Sequence, residues 1–198
     1  MASDPFWSNL FRRRSEQEDE LYETLSNVPI FQDLGRREFE RVRGILHRRT
    51  YREGEAIVRE GDVGVGMYVI LSGEVSIVQQ SADDGQIELA VFGPGDFFGD
   101  QVLLDESART ASAITRSTTR AVGFFRPDLL ELIERNPRLG LKIVMRLSHM
   151  ISVRLRQTNR LLKDARDRAR RIEEEMVAVK AEADAAKADA QVAALSAT

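Results

Sequence analysis

From Ile151 to Ala193 the chain repeats a seam in alternating steps of four and three. Its members are Ile151, Leu155, Thr158, Leu162, Ala165, Ala169, Ile172, Met176, Val179, Ala183, Ala186, Ala190 and Ala193. Six heptads in one register, with Thr158 the one polar member, are the pattern of a helix that supercoils with another helix. No proline follows Pro137, so one helix from there to about Ala194 would be about 85 Å long at 1.5 Å per residue. A single globular core does not need such a helix. The alternative is a solitary solvated helix, because half of residues 181–198 are alanine, which favours helix by propensity alone. The Ile, Leu, Met and Val positions before residue 180 favour a partner, and we expect a homodimer through residues 144–179.

Charge divides along the same helix. Residues 154–171 carry eight basic and two acidic side chains, and residues 172–190 carry two basic and six acidic ones. A basic helix invites comparison with helices that fork from a zipper into DNA. Here the seam runs straight through the basic part, so the helices would not splay. Residues 163–198 also lack aromatic or glycine-punctuated two-helix patterning. DNA binding is therefore not expected, and a solvated, charge-paired face is.

Upstream the period changes. Residues 18–46 read as helical pieces, with Leu21, Leu25, Phe39, Val42 and Leu46 as core candidates. From about residue 48 the period is two: AIVRE, MYVILSGEVSIV, IELAVF, TASAI and TRAVGFF are short β-rich runs, with REG, GD, SADDG and GPGD as turn signals among them. Ser72-Gly73 is a tight-turn signal inside the second run. Short strands at this spacing predict a sandwich or β-roll. After Phe125 the strands stop, and Pro127 and Pro137 each suit the first turn of a helix. The expected organisation is a short lead (1–17), a β-roll domain (18–136) and a long helix (137–198).

Chemistry for catalysis is scarce. There is no cysteine, and His47 and His149 are the only histidines, isolated in sequence. We expect no metal site and no enzyme. The net charge of −3 carries no global attraction for nucleic acid or membrane.

One stretch does carry ligand chemistry: FFGDQVLLDESARTASA, residues 97–113. Gly99 permits a sharp turn and close approach. VLLDE is long enough for one helical turn whose free N–H groups would face an anion. Arg109 would offer a planar cationic fork to the same anion, and Asp100 would accept from a hydroxyl. An anion and a hydroxyl at this separation describe a sugar phosphate; a surface turn with a structural ion pair is the alternative.

These residues resemble the phosphate-binding cassette of cyclic nucleotide-binding domains, the superfamily of Crp and the protein kinase regulatory subunits. Its pattern is Phe-Gly-Glu-Leu-Ala-Leu, a few variable residues, then Pro-Arg-Ala/Thr/Ser-Ala. Phe98, Gly99, Leu103, Arg109, Thr110 and Ala111 match at the family spacing. The resemblance runs over roughly residues 25–165, through VPIFQDL, REGD, MYVILSGEVSIV and NPRLGLKIVMRLS. It implies an α+β fold, a jelly-roll-like β-roll with flanking helices, followed here by a long coiled-coil helix.

The resemblance also implies a binding mode. Arg109 and the amides of residues 102–104 would hold a cyclic phosphate, and Asp100 the ribose 2′-hydroxyl. Asp100 stands where the family has glutamate and is one methylene shorter, Gln101 replaces an apolar residue, Val102 replaces alanine, and Ala108 replaces proline. The run MRLSHMISVRLRQTN (145–159) is similar to the dimer helix of the catabolite activator branch. There a threonine and the following polar residue reach the adenine amino group, and Thr158 and Asn159 fall on those positions. Independently, a hydroxyl in an apolar seam costs stability unless something uses it; register, or a bond to the carbonyl four residues back, is its other use.

The expected ligand is cAMP ahead of cGMP, since Thr110 after the arginine leaves the base open. Two functions of different class stay open: a cyclic-nucleotide sensor that relays ligand state through its coiled coil to a protein partner, and a ligand-free dimeric scaffold. The lead DPFWSNLFRRR adds an expected weak contact with anionic membrane through residues 5–14: four apolar side chains face one way beside three arginines. Capping of the protein's own surface is the other reading of that segment. With no apolar run near 18 residues and no secretory signal pattern, the expected location is cytoplasmic, peripheral to the inner face of the membrane if the lead binds there.

Overall fold

The computed structural model describes residues 21–81 and 85–196. The lead at 1–17, with its membrane-contact residues 5–14, lies outside them. Eight strands build two four-stranded antiparallel sheets. They are β1 (His47–Tyr51), β2 (Ala56–Val58), β3 (Gly66–Ser72), β4 (Val75–Ser81), β5 (Gly85–Phe92), β6 (Phe97–Phe98), β7 (Ser112–Thr115) and β8 (Thr119–Phe125). One sheet runs β1-β8-β3-β6 and the other β2-β7-β4-β5. This is the expected roll. All five expected runs are strands; β1 and β6 are additions. β1 has the sequence HRRTY and four of its five residues are exposed, so it shows no apolar alternation to read.

Between β3 and β4 the chain reverses at Gly73, whose φ is +92°. A Cβ there would also meet Thr119, so the tight turn needs glycine for conformation and for space.

Residues 21–26 are helical, and α1 (Arg36–Arg43) follows after a turn region. α1 begins where the Glu38 carboxylate accepts from the Gly35 N–H at 2.9 Å, and it buries Phe39 and Val42. α2 (Arg126–Arg135) carries its proline in the first turn and buries Leu129 and Leu132. Four of the five core candidates before the roll are buried; Leu46 is only partly so.

α3 runs from Pro137 to Ser196 without a break. The chain divides into two compact units, Met1–Ile151 and Ser152–Thr198, so the division falls inside α3 and not at its start. The reason is a buried stripe: Leu139, Ile143, Leu147 and Met150 are covered within the first unit. Each such side chain removed from water contributes up to about 1.5–3 kcal/mol. Gly140 lets this part of the helix approach α2, for a Cβ there would overlap Ile133.

The first unit holds two apolar clusters. The larger joins residues 21–42, the helix faces and one side of the β1-β8-β3-β6 sheet, through Met67, Val69, Val122 and Phe124. The smaller fills the roll between the sheets, with Tyr51, Ile57, Ile70, Val75, Phe98, Ala113 and Ala121. In the second unit the seam is bare: Leu155, Leu162, Ile172 and Met176 are each about half exposed or more.

Candidate functional site

The segment after β6 folds as a compact loop. Gly99 has a φ of +76°, a left-handed conformation that any side chain would strain. Asp100 follows in helical conformation and opens a single 3₁₀ turn, Gln101–Leu103. The helical turn expected in VLLDE forms one residue earlier, as 3₁₀, and ends at Leu103. Of the amides at 102–104, that of Leu103 donates to the Asp100 carbonyl at 3.3 Å and that of Leu104 to the Gln101 carbonyl at 2.9 Å.

Two buried charged side chains sit in this loop: Asp100 at 1% and Arg109 at 7% exposure. Burying a charge is expensive unless it is matched. Arg109 donates through Nη2 to the Gly66 carbonyl at 2.5 Å. Its other terminal nitrogen, Nη1, is buried with no hydrogen-bond partner. Burial lowers the Arg109 pKa from its usual value, with nearby Tyr68 acting in the opposite direction; an arginine remains protonated regardless. A Cβ on Gly99 would overlap Nη1, so the glycine keeps the space beside that nitrogen clear of side chain.

The backbone of Arg109 is fixed on both sides. Its N–H donates to the Asp62 carbonyl at 2.8 Å, and its carbonyl accepts from the Gly61 N–H at 2.9 Å. Val63 and Ala108 form an antiparallel bridge between them, and Gly64 donates to the Ser107 carbonyl at 3.2 Å. Residues 61–66 therefore form a rail along which the arginine strand lies.

Val102, the bulkier replacement for the family's alanine, is buried at 4% exposure. Its Cγ1 occupies the place where a Cβ on Gly64 would stand. The extra volume is taken up by a glycine on the rail. Leu103, at 2%, belongs to the larger core with Phe124 and Leu129, so it anchors the turn to the helices. Phe98 stacks on Tyr68 with ring centroids 5.6 Å apart. Thr110 is exposed, and its carbonyl accepts from the Gln79 side chain at 3.0 Å.

Phe98, Gly99, Asp100, Val102, Leu103, Arg109 and Thr110 are thus gathered in one place. Thr158 and Asn159 belong to the second unit, where Thr158 Oγ1 donates to the Arg154 carbonyl at 3.0 Å. Sequence reasoning missed Gly66 and Tyr68. The signal was the close spacing of glycines in GDVGVG, which marks backbone near other groups without saying which. Burial, with Tyr68 adding to it, pushes the Tyr51 hydroxyl up to about 12.

Among the described residues, no group of three or more His, Cys, Asp or Glu side chains is placed to hold a metal ion. No helix among them is long and apolar enough to cross a membrane.

Comparison with known proteins agrees with this fold. The family model of the cyclic nucleotide-binding domain matches residues 48–136. The "Cyclic AMP receptor protein" of Thermus thermophilus is 33% identical over 135 residues, covering 68% of this chain and 61% of the relative. The "CRP-like cAMP-activated global transcriptional regulator" of Mycobacterium tuberculosis is 32% identical over 142 residues, covering 72% and 62%. Among solved structures, the catabolite activator protein of Thermus thermophilus superposes with a TM-score of 0.61 at 33% identity, covering 68% of this chain and 62% of that one. The chain thus spans about three fifths of the length of these relatives.

Proposed function

We propose that this chain, whose residues 48–136 match the family model of the cyclic nucleotide-binding domain, is a non-enzymatic cyclic-nucleotide sensor that takes cAMP ahead of cGMP. One observation carries the reading: Arg109 Nη1 is buried and unpaired beside a glycine whose missing side chain leaves it room. A cyclic phosphate supplies the anion this donor wants, and a charge-assisted bond of that kind is among the strong ones. In this reading Asp100 accepts from the ribose 2′-hydroxyl, and Thr158 and Asn159 read the base. The preference for cAMP draws on the names of the two relatives above.

The second half of the proposal is the output. The bare seam after Ile151 pairs with the same seam of a second copy through residues 144–179, and the dimer presents ligand state to a protein partner. A half-exposed row of Leu, Ile and Met in heptad register supports pairing. The N-terminal segment 5–14 is proposed as a weak contact with anionic membrane, gaining by avidity in a dimer.

Equilibrium dialysis with labelled cAMP and cGMP, alongside light scattering, tests both halves. Saturable binding of one nucleotide per chain and a dimeric mass are expected, with monomers after truncation at residue 140. Binding of neither nucleotide by a dimer would favour the second reading, a scaffold that keeps only the fold, to which Asp100, Gln101 and Val102 lend support as departures from the family pattern.

A further inference from the structure

We propose that Arg126 is a positioning residue of the nucleotide site, tying the cassette loop to the first turn of α2 so that the two move together. The inference rests on the nucleotide-binding reading above and adds to it a device for reporting occupancy.

Three contacts close a ring around this residue. The main-chain N–H of Arg126 donates to the Val65 carbonyl at 2.9 Å. Gly64, next to Val65, donates to the Ser107 carbonyl at 3.2 Å. Glu106, next to Ser107, pairs through Oε1 with Arg126 Nη1 at 2.8 Å. Arg126 therefore holds the rail with its backbone and the cassette loop with its side chain, and it is the first residue of α2. Arg109 hangs from the same rail by three bonds: its N–H on Asp62, its carbonyl on the Gly61 N–H, and Nη2 on Gly66. Gly66 in turn pairs with Phe125, immediately before α2.

Stability alone does not account for this arrangement. Glu106 is 76% exposed, and an ion pair so open to solvent contributes little to folding. Arg126 Nε is meanwhile buried without a hydrogen-bond partner, which opposes folding. What the ring does provide is a short mechanical path. An anion drawn to Nη1 pulls on a guanidinium whose Nη2 is tied to the Gly66 carbonyl and so shifts the rail, and Arg126 transmits that shift into α2 by both of its attachments.

Hydrogen exchange of the full chain, with and without saturating cAMP, reads this directly. Wild type, Glu106→Gln, and the exchanged pair Glu106→Arg with Arg126→Glu are compared, with cAMP affinity measured on each. Glu106 is at the surface, so Glu106→Gln leaves the fold intact. In wild type, cAMP is expected to alter exchange both in the cassette and in residues 126–135. In Glu106→Gln the cassette response should persist while the α2 response falls by half or more, and affinity should drop about threefold, the scale of an exposed ion pair. The exchanged pair should recover the α2 response. An α2 response in Glu106→Gln equal to that of wild type, or an exchanged pair no better than the single variant, would overturn the role of Arg126 while leaving nucleotide binding standing. Wild type that binds neither cAMP nor cGMP would instead overturn the nucleotide reading itself, and this inference with it.

Discussion

Arg109 Nη2 donates to the carbonyl of Gly66 at 2.5 Å, so the cation at the centre of the cassette is held by the backbone at the start of β3. One nitrogen is thereby fixed and the other is left buried without a partner. Gly99 makes this possible, through its positive φ and through the side chain it lacks. Gly99→Ala should displace the guanidinium and strain the turn. The backbone penalty alone is about 1–2 kcal/mol. The expected result is a lower midpoint in urea unfolding together with a loss of cAMP affinity. An alanine variant that binds as well as wild type would mean that the space beside Nη1 is not used.

A second prediction follows from the place of Asp100. If it accepts from the ribose 2′-hydroxyl, wild type should bind cAMP about tenfold or more tightly than 2′-deoxy-cAMP, as a hydrogen bond to a charged group carries about 1.5–3 kcal/mol. Asp100→Ala should erase that ratio and bind both ligands weakly. Equal discrimination by the variant would assign the ribose to another group.

The packing of Val102 on Gly64 makes a third. Gly64→Ala forces a Cβ into Val102 Cγ1, and overpacking of this kind costs about 1–3 kcal/mol. Val102→Ala removes the Cγ1 overlap but keeps the Val102 Cβ at 2.8 Å and leaves the Ser107 carbonyl at 3.0 Å. The double variant should therefore recover part of the stability that Gly64→Ala loses, a coupling that a double-mutant cycle by urea unfolding reads directly. Additive losses would place the strain elsewhere.

These contacts show what a sequence can and cannot deliver. The two-residue period of MYVILS and EVSIV, the turn at Gly73 and the prolines of α2 and α3 are local signals, and each became the element expected. Arg109 and Gly99 were legible because their spacing is a motif. Gly66 and Gly64 were not, because the carbonyl that holds Arg109 and the space that takes Val102 arise only when residues about forty positions apart are brought together. β1 was invisible for a different reason: four of its five residues are exposed and polar, so its backbone pairing with β8 leaves no apolar alternation in the sequence. The end of the first unit at Ile151 was hidden too, since the buried stripe of Leu139, Ile143 and Leu147 and the bare seam beyond it look alike as sequence.

Acid should loosen the attachment of the early segment to α3. The Arg146 hydrogen bond holds Asp33 below its ordinary 3.8. The Lys142 hydrogen bond, aided by the Gly35 N–H, holds Glu38 below 4.5. Carboxylates depressed in the folded state contribute stability above those ordinary values and lose it as pH falls through the lowered ones. Thermal unfolding should therefore be flat from neutral pH down to about pH 5 with respect to these pairs and fall below pH 4. Glu38→Gln should flatten part of that fall. A Glu38→Gln profile superimposable on wild type would remove the pair from the account.

Thr158 supplies a prediction about the base. Its hydroxyl bonds the Arg154 carbonyl within its own helix, and Thr158→Val completes the apolar seam. The dimer should become more stable at fixed concentration, and cAMP should weaken more than cGMP in competition binding. An unchanged base preference would leave Thr158 with its intrahelical bond as its role.

The central claim is that Arg109 is kept as a buried cation for a cyclic phosphate, and isothermal titration of cAMP into wild type and Arg109→Ala tests it most directly. Saturable binding to wild type, lost by a factor equivalent to about 2–5 kcal/mol in a variant that still shows the wild-type circular dichroism spectrum, is the predicted result. Equal cAMP affinity for the two proteins would contradict it.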